Sequence, residues 1–137
     1  MKAIDLITAK SKVDFVYSDN TLDEVLTRFS KKRYSMVPVL ERGSGRYIYS
    51  ISSFDVLMHL LKNKDIEAAK KEPLSSVSID RLIVACTKDG DIEEIVDLAR
   101  NQNYVPIVDS KGQFLGIVTR ASLLDYLAGL TLDNEGE

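Results

Sequence analysis

The chain has 137 residues, 45% hydrophobic and 28% charged, the balance of one folded domain and not of a multidomain enzyme or a disordered segment. Eighteen lysines and arginines against 21 aspartates and glutamates leave a net charge of −3, which excludes a protein that coats nucleic acid by neutralising phosphates. No apolar run approaches the ~20 residues that span a bilayer, so a cytoplasmic location without a membrane partner is expected.

In chain order, Val13–Tyr17 reads as a short strand of β-branched and aromatic residues. Thr21 and Glu24 form a capping-box pattern that opens a helix, whose apolar face is Leu22, Val25, Leu26 and Phe29 at three- and four-residue spacing. Met36–Leu40 and Tyr47–Ile51 are apolar strands joined by a turn holding Gly43 and Gly45, which predicts a β-hairpin. Phe54–Leu61 is a second amphipathic helix. Residues 62–82 are rich in lysine and glutamate, broken at Pro73 and then serine-bearing, and read as a helix end followed by a linker. The order then recurs: strand Ile83–Thr87, a helix opened by Asp91 and Glu94 with Ile92, Ile95, Val96 and Ala99 on one face, strands Tyr104–Val108 and Phe114–Val118 around Gly112, and helix Ala121–Leu130. An acidic, frayed tail is expected from Thr131.

The recurrence is a sequence repeat. Val13–Leu26 aligns seventy positions on with Ile83–Val96, and Val37–Leu57 aligns with Val105–Leu124, matching Pro38 with Pro106, Gly45 with Gly112 and Ser52 with Thr119. Small loop-length differences account for the drift in offset from 70 to 67. The implied organisation is a first repeat with its leading segment over 1–63, a linker over 64–82, a second repeat over 83–130 and a tail over 131–137. A β-α-β-β-α unit leaves one sheet face uncovered, so an α+β fold of two pseudo-symmetric repeats packed face to face is expected.

The motifs V-P-V (Val37-Pro38-Val39) and V-P-I (Val105-Pro106-Ile107), Gly116-Ile117-Val118-Thr119, and Ser52-Ser53-Phe54-Asp55 against Thr119-Arg120-Ala121-Ser122 resemble those of the cystathionine β-synthase (CBS) domain. The whole chain resembles a tandem pair of such domains, a Bateman module, with no further domain attached. Among these it is most similar to small bacterial proteins that bind adenine nucleotides, including cyclic di-AMP. The Asn101–Tyr104 turn, Thr119-Arg120 and Lys12-Val13 carry that nearer likeness.

The resemblance implies two nucleotide sites in a cleft between the repeats. One takes Thr119, Arg120 and Ser122 with Lys12, Val13, Asp14 and Phe15 and with Ser35, Met36 and Pro38. The other takes Ser52 and Asp55 with Ile83, Val84 and Ala85 and with Tyr104 and Pro106. It also implies a regulatory ligand, AMP, ADP, ATP or cyclic di-AMP, in place of a cofactor. A homodimer through the second helix of each repeat and an effector protein acting in trans are expected as well.

The residue chemistry is consistent with those roles. A hydroxyl at a helix N-terminus, as at Ser52 and Thr119, joins free N–H groups and the positive end of the helix dipole, which suits a phosphate. It equally suits plain capping. Asp55, one turn in, is able to accept from ribose hydroxyls or only to complement the dipole. Ser122 replaces it in the second repeat, and with Arg120 and Lys12 nearby it favours a more phosphate-rich ligand there. Val13, Phe15, Met36 and Pro38 are core residues able to double as slabs for a base, whose edge the backbone N–H and C=O groups of an edge strand would read. Arg120 is alternatively a solvated surface arginine, and Lys31-Lys32-Arg33 a solvated helix end. The single histidine, His59, is read as packed or surface-exposed. The single cysteine, Cys86, is read as buried and inert. One histidine supports neither a zinc site nor a Ser-His-Asp or Cys-His set, so no metal and no enzymatic activity are expected.

Overall fold

A computed structural model of the chain describes residues 1–32 and 35–135, with backbone alone for residues 32 and 130–135. Arg33 of the basic run and Gly136-Glu137 of the tail lie outside the described residues. The elements are β1 (Thr8–Ala9), β2 (Val16–Tyr17), α1 (Leu22–Lys32), β3 (Met36–Leu40), β4 (Tyr47–Ser52), α2 (Ser53–Lys62), α3 (Ile66–Ala69), β5 (Cys86–Thr87), α4 (Ile92–Ala99), β6 (Tyr104–Val108), β7 (Phe114–Thr119) and α5 (Arg120–Glu135). The predicted β-α-β-β-α order is present twice.

Two compact units are defined by contact: Asp14–Ile83, and Met1–Val13 together with Val84–Glu137. In the 14–83 unit the sheet order is β2-β3-β4, with β2 parallel and β4 antiparallel to β3. The capping box at α1 forms as expected: the Glu24 N–H donates to Thr21 Oγ1 and the Thr21 N–H to the Glu24 carboxylate, both at 3.2 Å. Leu22, Val25, Val39, Ile51 and Val56 are fully buried in the core.

Residues 64–82 differ from a simple linker. They carry α3 and a 3-10 turn, Leu74–Ser76, and they place Ala69, Leu74 and Val77 in the same core. The carbonyls of Lys70 and Glu72 also accept from the first free N–H groups of α1, at Asp23 and Leu22, both at 2.9 Å. Isolated apolar residues in a charged stretch show no periodicity, which hides this role in the sequence.

In the other unit the four-stranded order is β1-β7-β6-β5. The leading residues 1–13, grouped by sequence with the first repeat, pack here because β1 pairs antiparallel with β7, Thr8 opposite Ile117 and Ala9 opposite Gly116. Gly116 permits this close approach, since a Cβ there would run into the Thr8 carbonyl oxygen. Ala3 joins Cys86, Ile95, Val105, Ile107, Val118 and Leu123 in the second core. The turn glycines Gly45 and Gly112 have φ of 76° and 82°, the left-handed region that the aligned hairpins require. Helix α5 continues through Glu135 where a frayed tail was expected from Thr131, as no proline or glycine interrupts 130–135.

The leading strands are shorter than predicted, two residues each, and proline is the reason. Val16 pairs with Val39 and Cys86 with Ile107, so Phe15 and Ala85 stand level with Pro38 and Pro106. Neither proline has an N–H to extend the parallel ladder.

Candidate functional site

In the 14–83 unit, β4 ends at Ser52, opposite Met36, and turns directly into α2. Ser52 is the N-cap: its Oγ accepts from the Asp55 N–H at 3.0 Å, and the Ser53 N–H donates to the Ser35 carbonyl at 2.9 Å. These bonds hold Ser35, Met36, Ser52 and Asp55 at one end of the sheet. Asp55 is 9% exposed, and its carboxylate accepts from the Asp80 N–H at 3.5 Å.

Asp55 lines a cavity of about 370 Å³ with Phe54, Met58, His59, Lys62 and residues 78–80. Its volume is in the range of small-molecule pockets, and it sets an acidic group at a helix N-terminus beside an exposed lysine and a large exposed aromatic ring. His59 Nε2 lies 2.8 Å from the Glu72 carboxylate, half-buried in its wall.

Pro38 is buried, Met36, Phe15 and Asp14 are half-buried and Ser35 is exposed. The Phe15 ring stands edge-on to Tyr17, centroids 5.6 Å apart, and Asp14 lies 3.7 Å from Arg28. Ile83 is buried, and its carbonyl accepts from the Tyr47 hydroxyl at 3.2 Å. Burial pushes the Tyr47 hydroxyl up to about 12, against the opposing hydrogen bond with Ser50.

In the other unit, Thr119 ends β7 opposite Tyr104 and caps α5. Its Oγ1 accepts from the Ser122 N–H at 3.1 Å and lies 3.0 Å from the Ser122 hydroxyl. The aligned pair Ser52/Asp55 thus has a neutral, mutually bonded counterpart in Thr119/Ser122. Arg120 turns to α4, where its Nε donates to the Ala99 carbonyl at 3.0 Å. Lys12 is exposed at the end of a 3-10 turn that lies beside β7, and the Val13 N–H closes that turn onto the Lys10 carbonyl. Tyr104 and Pro106 are buried in β6. Cys86 is buried, and desolvation, with the Glu94 carboxylate adding, pushes its thiol up to about 11, which makes it a poor nucleophile.

Each residue set implied by the family resemblance divides between the two units. Thr119, Arg120, Ser122, Lys12 and Val13 belong to one unit, while Asp14, Phe15, Ser35, Met36 and Pro38 belong to the other. Ser52, Asp55 and Ile83 belong to the 14–83 unit, while Val84, Ala85, Tyr104 and Pro106 do not.

Gln102 lies in the Asn101–Tyr104 turn but outside both implied residue sets. It is 5% exposed, its Oε1 accepts from the Val84 N–H at 2.8 Å, and its Nε2 donates to the Val84 carbonyl at 3.0 Å and the Tyr104 carbonyl at 3.2 Å. The Val84 backbone groups are therefore occupied by a side chain. The run Asn101-Gln102-Asn103 directly before a strand was the available signal.

Among the described residues no helix is long and apolar enough to cross a membrane. The CBS domain model matches residues 3–62 and 74–129. Protein MJ1225 of Methanocaldococcus jannaschii is 22% identical over 142 residues, covering 94% of this chain, which spans only 50% of that relative's length. Among solved structures, CbpB in complex with c-di-AMP matches with a TM-score of 0.86 at 20% identity, over 99% of this chain and 90% of that one. CBSX2 in complex with AMP matches with a TM-score of 0.73 at 18% identity, over 95% and 98% of the two chains. At these identities the structures establish the shared fold. The family match over both repeats places this chain in the CBS domain family.

Proposed function

We propose that this CBS-domain chain is a non-catalytic regulatory module that binds an adenine nucleotide, AMP, ADP, ATP or cyclic di-AMP, and in doing so alters the behaviour of a partner protein. The observation that carries the reading is the junction of β4 and α2, where Ser52 caps the helix and the buried Asp55 carboxylate lines a cavity of about 370 Å³ that also presents Lys62. A helix N-terminus with a hydroxyl suits a phosphate, a carboxylate one turn in suits vicinal ribose hydroxyls, and an exposed ring suits a base. The ligands in the CbpB and CBSX2 structures support the same chemistry. The remaining residues of the two sets, Thr119, Arg120, Ser122, Lys12–Phe15, Ser35, Met36, Pro38, Ile83–Ala85, Tyr104 and Pro106, are proposed as their companions. A cytoplasmic homodimer that acts on another chain completes the reading, since a ligand regulates only through its differential affinity for two states.

Calorimetric titration with AMP, ADP, ATP and cyclic di-AMP tests it. Saturable heat with one of them is the expected result, and none at millimolar concentration removes the reading.

A second reading, an interaction module without ligand, is favoured by one observation: the Ser52 and Thr119 oxygens are engaged as caps and Arg120 is engaged by Ala99. Thermal unfolding separates the two. A ligand at a hundred times its Kd stabilises by about 2.7 kcal/mol, whereas the second reading predicts unchanged melting with every nucleotide.

A further inference from the structure

The bond pattern around Gln102 is that of a small ligand held by a backbone edge. Where Pro106 ends the parallel ladder, Val84 has no strand partner for its N–H and C=O, and the Gln102 carboxamide takes both at 2.8 and 3.0 Å. The partners define the orientation of the amide, because the Val84 N–H is a donor while the Val84 and Tyr104 carbonyls are acceptors. An adjacent acceptor and donor, C=O beside NH₂, is also the array that adenine presents with N1 and its exocyclic amine. A base and the Gln102 side chain therefore make the same two bonds to Val84 and exclude each other there.

We propose that Gln102 is an internal competitor for the Val84 edge: a nucleobase engages this edge only by displacing the Gln102 carboxamide. The proposal rests on the nucleotide-binding reading above. In the absence of ligand the side chain keeps the two Val84 backbone groups paired, and in its presence the base remakes those two bonds, so the edge is held closed without being made inaccessible. The energetic cost of exchange falls on moving one buried amide and on the Tyr104 carbonyl, which loses the Gln102 bond.

The test is nuclear magnetic resonance of the full ¹⁵N-labelled chain titrated with AMP and with cyclic di-AMP. The Gln102 side-chain NH₂, the Val84 N–H and the amides of residues 52–55 and 119–122 are followed. The expected result is that the Gln102 NH₂ moves to solvent-like shifts and rapid exchange while the Val84 N–H stays protected. Gln102→Ala is expected to tighten binding about tenfold. Shifts at 52–55 or 119–122 with Gln102 and Val84 unmoved overturn the proposal and leave nucleotide binding intact. Silence at every position, in wild type and in folded Gln102→Ala alike, removes the nucleotide reading and this proposal with it. The wild-type arm stands alone if the variant does not fold.

Discussion

The Nε of Arg120 donates to the carbonyl of Ala99 at 3.0 Å, tying the first residue of α5 to the last residue of α4. A guanidinium at the negative end of a helix dipole, bonded to an otherwise free carbonyl, stabilises the fold without any ligand. Arg120→Met is expected to lower stability by about 1 kcal/mol in urea unfolding, the ordinary worth of one such bond. Calorimetry then separates the structural role from phosphate binding. The phosphate role requires a larger loss for cyclic di-AMP than for AMP, and equal losses for both refute it.

Asp55 is nearly buried and has a backbone donor from Asp80. Asp55→Ala is expected to cost about 1 kcal/mol of stability and to weaken AMP binding about tenfold. Asp55→Asn keeps an acceptor for the Asp80 N–H and is expected to restore most of the stability but not the affinity. Recovery of both would assign Asp55 to packing alone.

Two glycines are expected to respond in opposite directions to alanine. At Gly116 the new methyl meets the Thr8 carbonyl, so β1 must shift and stability falls by about 1–3 kcal/mol, with residues 1–13 becoming sensitive to limited proteolysis. At Gly129, inside α5, nothing lies within 4 Å, and alanine is expected to raise stability by about 0.5–1 kcal/mol through helix propensity. Melting curves of both variants check the pair.

Two desolvated acids, one in each unit, contribute to the alkaline limb of stability. Cys86 is pushed up to about 11 and Tyr47 to about 12, in both cases mainly by desolvation. Each folded form holds its proton more tightly than the unfolded chain, so their contribution is complete below about pH 9 and is lost as pH rises from about 9 to 11 for the thiol and from about 10 to 12 for the phenol. Urea midpoints are expected to fall across that window, and Cys86→Ser to remove the lower part of the fall. At pH 8 a thiol reagent is expected to modify native Cys86 far more slowly than the unfolded chain.

The repeat, the element order and the caps were legible because each rests on local pattern. Apolar spacing along α1 and α4 and the Thr21–Glu24 pair involve residues within one or two turns of each other. Pro38 and Pro106 were legible as matched positions, while their effect, truncating β2 and β5, depends on which residues stand level with them.

By itself, then, the sequence determined two β-α-β-β-α units, their family and the helix starts that carry candidate phosphate ligands. Only the tertiary structure decided where long polar side chains and short irregular segments go: Arg120 to Ala99, Gln102 to Val84, residues 64–82 into the first core and residues 1–13 onto β7. The physical reason is range. Helix and strand periodicity is written in neighbours, whereas a buried backbone group is satisfied by whatever partner folding brings to it, and that partner carries no mark in sequence spacing.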